Sequence, residues 1–144
     1  MVCETDGREV SIYDIWPNPV IKEAIIYSPM EEFFGIFNLA MGDYDPESLE
    51  IDYTIVSDNG DRELILSTLA EICNEFFNSY PMSTIYIQGS NQARTRLYQM
   101  AISHYFEELS SKYIILGEHD GRLERFRKGV NYKSFLVLKN QANE

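Results

Sequence analysis

The sequence predicts a mixed α/β fold, with two main helices packed on a single, mostly antiparallel sheet. Several short segments alternate apolar and polar residues with the period of a strand, and two longer segments repeat apolar residues with the period of a helix. The elements follow in the order β-β-β-α-β-α-β-β. This order favours hairpins and crossover helices within one domain that spans residues 1–144.

The first half of the chain is expected to supply three strands. Residues 1–19 are polar and end in Trp-Pro-Asn-Pro, which predicts an extended N-terminal arm or an irregular first strand. Residues 20–28 fit either a strand or a short helix, and Pro29 ends that element in both cases. Strands are then expected over 33–42 and 49–57, joined by an acidic turn.

The second half of the chain is expected to contain both helices and the remaining strands. Apolar residues recur at helical spacing in two segments, and a short apolar strand lies between them. In chain order the expected elements are a helix from Asp58–Asp61 to Pro81, a strand over 85–88, a helix from Asn91 to Ser110, a strand over 113–116, a charged loop or helical turn over 118–129 and a strand over 132–138.

The junction between residues 89 and 98 is the most informative stretch for function. Gly89 supplies a tight turn, and Ser90 or Asn91 caps the following helix. The first amides of a helix have no intrahelical partner and favour an anion. The sequence therefore predicts a binding site for a phosphate, nucleotide or carboxylate, formed by Ser90, Asn91, Arg94, Arg96 and Tyr98.

Arg94 falls in the middle of the apolar arc of its helix. Because an unpaired buried charge is costly, Arg94 requires either a water-filled opening or a carboxylate partner. In the first case it binds the ligand. In the second case it ties the helix to the sheet by pairing with a carboxylate such as Asp43, Asp52 or Asp61. The sequence leaves both interpretations open, whereas Arg96 lies on the polar side of the helix.

The charge is distributed unevenly along the chain. Residues 1–90 hold 17 acidic and 3 basic side chains, a net charge of −14, whereas residues 91–144 hold 6 acidic and 9 basic side chains, a net charge of +3. The acidic total of −11 argues against an extended nucleic-acid partner. A basic region on an acidic body suits a small anion, a nucleotide or a contact between subunits. Folding of the basic C-terminal segments against the acidic N-terminal ones is the alternative explanation, and the composition favours it slightly.

Composition and motifs exclude several other classes of protein. No apolar run approaches the ~20 residues of a membrane span, so we expect a cytoplasmic protein with no membrane partner. Cys3 and Cys73 are too far apart to suggest a zinc site, and the acidic run 43–52 lacks the glycine of an EF-hand, so no metal and no cofactor is predicted. No nucleophile with a base is recognisable. Binding is favoured over catalysis.

Four motifs resemble those of a family of small bacterial proteins of unknown function. They are Asn38-Leu39-Ala40-x-Gly42-Asp43, Ser57-Asp58-Asn59-Gly60-Asp61, Gly89-Ser90-x-x-Ala93-Arg94-Thr95-Arg96-Leu97-Tyr98 and Lys128-Gly129-x-Asn131-Tyr132. The resemblance covers about residues 38–139 and brings no established activity. It implies one shared site or structural cluster formed by Asn38, Asp43, Asp61, Ser90, Arg94, Arg96 and Tyr98.

Two alternative functions follow from other features. Residues 91–98 are similar to the Asn-x-x-Ala-x-x-Leu-Tyr helix of acetyltransferase folds, but the glycine-rich loop for acyl-CoA is absent, which would make this a degenerate relative. The charge asymmetry and the many aromatic residues also suit one partner of a two-protein module, such as a toxin–antitoxin or phage-defence pair, or a homo-oligomer. In that case an exposed apolar patch is expected.

Overall fold

The computed structural model describes residues 2–5, 8–15, 18–45, 47–52, 62–89 and 91–141. Within these residues nine strands form one mixed sheet and three helices are present, which confirms the predicted fold class. The strands are β1 (Val2–Thr5), β2 (Arg8–Ile15), β3 (Asn18–Pro29), β4 (Ile36–Asp45), β5 (Glu50–Asp52), β6 (Thr84–Ile87), β7 (Tyr113–His119), β8 (Arg122–Arg125) and β9 (Phe135–Lys139). The helices are α1 (Arg62–Ser79), α2 (Gln92–His104) and α3 (Phe106–Lys112).

The sheet is mostly antiparallel, as predicted. Its strand order is β1-β2-β3-β4-β6-β9-β7-β8, and β5 pairs with β4 outside this path. Only the pairing of β4 with β6 is parallel among the described strands. Because β6 and β7 are both antiparallel to β9, they run in the same direction. The carboxyl ends of β4, β6 and β7 therefore point to one end of the sheet, called here the upper end.

The helices pack on one face of this sheet. The connections from β4 to β6 and from β6 to β7 step across the sheet in the same direction, and right-handed crossovers then put their helices on the same side. Ile87, Ile115 and Val137 point from three neighbouring strands toward Cys73 of α1 and Ala101 of α2, around a small apolar cavity of about 30 Å³. The core thus lies between the sheet and both helices.

Two expectations about single elements differ from the structure, and one open alternative is decided by it. The N-terminal arm expected over 1–19 contains β1 and β2, which pair with each other, and β2 pairs with β3. Residues 20–28 belong to the strand β3, which ends at Pro29 as predicted. The second helix does not run unbroken to Ser110, because α2 ends at His104 and α3 begins at Phe106, with Tyr105 as the cap residue between them.

The prediction of a loop or helical turn over 118–129 was wrong. Strand β8 lies within it and forms a hairpin with β7, in which His119 is opposite Arg122. Asp120 and Gly121 make the two-residue turn with φ values of 50° and 75°. An Asp-Gly pair with positive φ at both residues matches the right-handed twist of a hairpin, so the sequence did contain the signal.

None of the helices in the described part of the chain is long and apolar enough to cross a membrane. The strand expected over 49–57 is described only as far as Asp52, and the predicted helix start at Asp58–Asp61 lies outside the described residues.

Candidate functional site

The junction between β6 and α2 forms as the sequence predicts. Asn91 is the N-cap of α2, and its side-chain oxygen accepts a hydrogen bond of 2.9 Å from the Arg94 amide. Thr95 stabilises the turn through two hydrogen bonds of its hydroxyl group. The hydroxyl accepts a hydrogen bond from the Gly89 amide at 3.1 Å and donates one to the Asn91 carbonyl at 3.1 Å. Ser90, the other predicted cap, lies outside the described residues.

Gly89 is required at this junction because a side chain at this position would overlap the first turn of α2. A Cβ atom at this position would lie 2.6 Å from the Cβ of Arg94 and still closer to the backbone nitrogen of Thr95. Both atoms belong to the first turn of α2, so a side chain at residue 89 would push the helix away from the sheet. The glycine thus lets the N-terminus of α2 approach the carboxyl end of β6.

The two sides of α2 have opposite environments. The buried side carries Arg94, Leu97, Tyr98, Ala101 and Ile102. Arg94 and Tyr98 are each only 1% exposed, and they lie one turn apart on the same face. Arg96 is exposed on the other side of the helix, as expected from its place outside the apolar arc. The structure therefore separates the two arginines of the predicted site.

Arg94 is enclosed by the protein and is not without a partner. The side chains of Asp43, Asp52 and Asp61, its predicted carboxylate partners, lie outside the part of the chain that is described. The pairing of Arg94 with one of them stays a prediction. Asn38 precedes the core residue Leu39 in β4, so its side chain points to the face of the sheet opposite the helices.

A groove of about 580 Å³ opens at the upper end of the sheet, beside the exposed side of α2. It has three walls, which are the residues after β6, the first turns of α2 and the segment before β9. They contribute Gln88 and Gly89; Asn91, Gln92, Thr95, Arg96 and Gln99; and Asn131, Tyr132 and Lys133. Of the residues predicted to bind an anion, Asn91 and Arg96 line the groove, whereas Arg94 and Tyr98 do not.

The groove is positively charged on an otherwise acidic protein. Arg96 and Lys133 both line it, both are exposed, and neither side chain pairs with any residue in the described part of the chain. None of the described lining residues is an aspartate or a glutamate. The net charge of the whole chain is −11, so two unopposed cations in one groove contrast with the rest of the molecule.

Gln99 joins two walls of the groove. Its side-chain nitrogen donates to the carbonyl of Val130 at 2.6 Å, and its side-chain oxygen accepts from the amide of Tyr132 at 3.0 Å. Both polar atoms of the amide are thus used to hold the segment before β9 against α2. The wall that carries Lys133 is therefore fixed relative to the wall that carries Arg96.

Tyr132 anchors the same segment to the β7–β8 hairpin. Its ring lies flat on Gly117, where a Cβ atom would come within 2.6 Å of the ring. Its hydroxyl accepts from the Arg127 amide at 3.0 Å and donates to the Glu124 carboxylate at 3.1 Å. The hydrogen bond from the Arg127 guanidinium, at 2.7 Å, is the main cause that lowers the pKa of Glu124, so this acceptor stays ionised.

The wall before β9 was missed by sequence reasoning. Ile87 of β6 pairs with Phe135 of β9 in antiparallel register, and continuing this register by two residues brings Lys133 beside Gly89. No local pattern connects residues so far apart along the chain. The Asn131-Tyr132 motif and the strand expected over 132–138 include residues of this segment, but neither pattern indicated that Lys133 lies beside α2.

The remaining candidate chemistry does not form a second site. Cys73 is buried, and burial raises the pKa of its thiol to about 12. Arg127 pairs with Glu124, and the basic segment 122–128 contributes no residue to the groove lining. Within the described residues, no group of three or more His, Cys, Asp and Glu side chains is placed to hold a metal ion.

Comparison with known proteins assigns the chain to a family without assigning it an activity. The chain belongs to the Family of unknown function (DUF6934), whose model matches residues 4–140. No curated protein and no solved structure gives a significant match. Membership agrees with the resemblance to a family of unknown function and brings no activity for this chain.

Proposed function

We propose that the protein binds a small phosphate- or carboxylate-bearing ligand, of about the size of a nucleotide, in the groove beside α2. One observation carries the proposal: Arg96 and Lys133 line the same groove with no carboxylate among its described residues. Unpaired cations that line one groove repel each other, and an anion bound there relieves this repulsion. The same arrangement has no evident benefit for the stability of the fold.

The helix N-terminus supports the same assignment. Gln92 and Ala93 are the first residues of α2, and amides at these positions have no intrahelical acceptor. The helix dipole adds a partial positive charge at this end, which favours a negative group near Asn91. In this proposal the phosphate or carboxylate lies between the first turn of α2 and the two cations.

The size of the groove favours a ligand larger than inorganic phosphate. Its volume of about 580 Å³ lies within the ~300–1,000 Å³ that is usual for sites that bind small molecules. Besides Asn91 and Gln99, which hold the helix cap and the two walls, the primary amides of Gln88, Gln92 and Asn131 line the groove. Gln88 accepts a hydrogen bond of 2.9 Å from the Tyr86 hydroxyl, which leaves its amide nitrogen for a ligand oxygen.

In this proposal Arg94 and Tyr98 support the site without touching the ligand. Both are on the buried side of α2, where they fix the helix to the core. The ligand contacts are assigned instead to Arg96, Lys133 and the helix amides. This division makes different predictions for the two arginines, which allows the proposal to be tested.

The test is a calorimetric titration with nucleoside mono-, di- and triphosphates, inorganic phosphate, acyl-CoA and dicarboxylates. Arg96→Gln and Lys133→Gln should each weaken binding about tenfold, because each removes a charge-assisted contact. Lys112→Gln, which removes an exposed cation outside the groove, is the matched control and should bind like the wild type. Affinity should fall with rising salt.

Two results would overturn the proposal. One is that no anion in the panel binds the wild type, either by calorimetry or by raising its melting temperature at saturating excess. The other is that Lys112→Gln weakens binding as much as the groove variants do, since this would trace the affinity to overall charge.

A further inference from the structure

The turn between β3 and β4 holds two phenylalanines in solvent. Phe34 is fully exposed and Phe33 is 52% exposed. The turn is nevertheless ordered by backbone hydrogen bonds, from the Met30 amide to the Ile36 carbonyl at 2.9 Å and from the Phe33 amide to the Met30 carbonyl at 3.2 Å. Gly35 completes it with a φ of 81°. The two rings are therefore presented by a defined backbone.

A second exposed apolar stretch adjoins this turn. The Thr84 amide donates to the Gly35 carbonyl at 2.9 Å, which joins the turn to the residues before β6. There Met82 is 81% exposed and Tyr80 is 39% exposed. We define the acidic patch as Glu31, Glu32, Phe33, Phe34, Tyr80 and Met82.

The acidic patch is large and has unpaired charges. Its apolar side chains expose on the order of 500 Å², which matches the largest patches on typical monomers, and these are often functional. Glu31 and Glu32 are exposed, and neither pairs with any residue that the structure describes. A partner for this surface must therefore supply both apolar side chains and positive charge.

A surface of this complementary kind lies on the same chain. Strand β8 is the last strand of the sheet, so one of its edges has no neighbouring strand among the described elements. Leu123 is 56% exposed there and shares its face of the strand with the exposed Arg125, whereas the exposed Arg122 begins the strand on the other face. Neither arginine pairs with a described residue, whereas Arg127 forms a salt bridge with Glu124. We define the basic edge as Arg122, Leu123 and Arg125.

The two surfaces lie at opposite ends of the sheet. The acidic patch precedes β4 and β6, at the lower end, and the basic edge begins where β7 ends, at the upper end. One molecule can therefore use both surfaces at once. Contacts of this kind are heterologous and lead to rings or linear chains.

We propose that the acidic patch docks on the basic edge of a second copy of this chain, head to tail. Phe33 and Phe34 of one copy cover Leu123 of the next, and Glu31 and Glu32 face Arg122 and Arg125. The net charges of −14 for residues 1–90 and +3 for residues 91–144 favour this direction of contact. The patch is smaller than the ~800 Å² per partner of stable complexes, so the association is weak. The proposal does not depend on the ligand groove.

The test is sedimentation velocity over a wide range of concentration. The wild type should show a mass that rises with concentration. Phe33→Ser/Phe34→Ser should raise the dissociation constant about thirtyfold, as expected for truncated aromatic anchors. Arg122→Glu/Arg125→Glu should have a similar effect. Leu49→Asn, which removes an apolar side chain that is 71% exposed outside both surfaces, is the matched control and should associate like the wild type.

Mixing the two variants distinguishes this contact from other modes of association. Each variant keeps one intact surface, so an equimolar mixture should form a 1:1 dimer and nothing larger. Adding Glu31→Lys/Glu32→Lys to the chain that carries the Arg122→Glu/Arg125→Glu reversals should restore assembly. A wild type that is monomeric throughout would overturn the proposal, and so would a basic-edge variant that assembles normally. In the second case the arginines serve to keep the edge strand from pairing.

Discussion

Arg94 and Arg96 are two residues apart in α2, yet they lie in opposite environments. Two helical residues correspond to a rotation of about 200°, so the side chains point away from each other. Arg94 is 1% exposed beside Tyr98 and the core, whereas Arg96 is exposed in the groove with Lys133. A motif that contains both arginines thus joins a buried residue to a residue that lines the groove. The place of each on the helix decides which role it has.

The largest expected difference is in stability. Arg94→Gln should lower the free energy of unfolding by about 3–5 kcal/mol, because it removes a guanidinium that is only 1% exposed and is not without a partner. Arg96→Gln should change it by less than about 0.5 kcal/mol, as for most exposed residues. Urea unfolding of the two variants measures both values. Equal effects would contradict the division between the buried and the exposed side of α2.

A smaller effect is expected from the glycine that lets α2 approach the sheet. Gly89→Ala should lower the free energy of unfolding by about 2–3 kcal/mol, since the added methyl group overlaps the first turn of the helix. Gly121→Ala is the matched control. It meets no atom within 4 Å but has a φ of 75°, so it should cost only about 1 kcal/mol. If Gly89→Ala costs no more than its control, the contact between β6 and α2 is looser than described.

Alkaline pH should act on the core, where Cys73 of α1 and Tyr113 of β7 line the small apolar cavity. Burial raises the pKa of Cys73 from 9.0 to about 12, and burial also raises that of Tyr113 to about 12. Above about pH 9 the unfolded chain loses protons that the native state keeps, so stability is full below that pH and falls as pH rises toward 12. The slope from Cys73 is at most about 1.4 kcal/mol per pH unit. Cys73→Ala should flatten the slope of unfolding free energy against pH between 9 and 12, and an unchanged slope would contradict this origin.

Local sequence patterns predicted what depends on neighbouring residues. The strand before Gly89, the cap at Asn91 and the buried face with Leu97 and Tyr98 were all confirmed, because turn chemistry and helical periodicity act over a few residues. The N-terminal hairpin of β1 and β2 was less visible. Its segments are polar, and they become strands because β1 pairs with β2 and β2 pairs with β3.

The candidate site was predicted only in part, for a related reason. Asn91 and Arg96 belong to the segment that the sequence singles out, but Lys133 and Gln99 enter the groove through long-range pairing. The register of β6 with β9 places Lys133, and the side chain of Gln99 spans 31 residues of sequence to reach Val130. Arg94 was placed correctly on the apolar arc. The sequence alone did not distinguish a pocket from an enclosed position.

The position of β9 has a consequence for synthesis on the ribosome. β9 follows every other described strand in the chain, yet it lies between β6 and β7 in the sheet. The strands before it form two separate blocks, β1 to β6 and β7 with β8, until residues 135–139 have left the exit tunnel. Until then the open edges of β6 and β7 are exposed to other nascent chains. The groove, whose third wall immediately precedes β9, also forms only at this step.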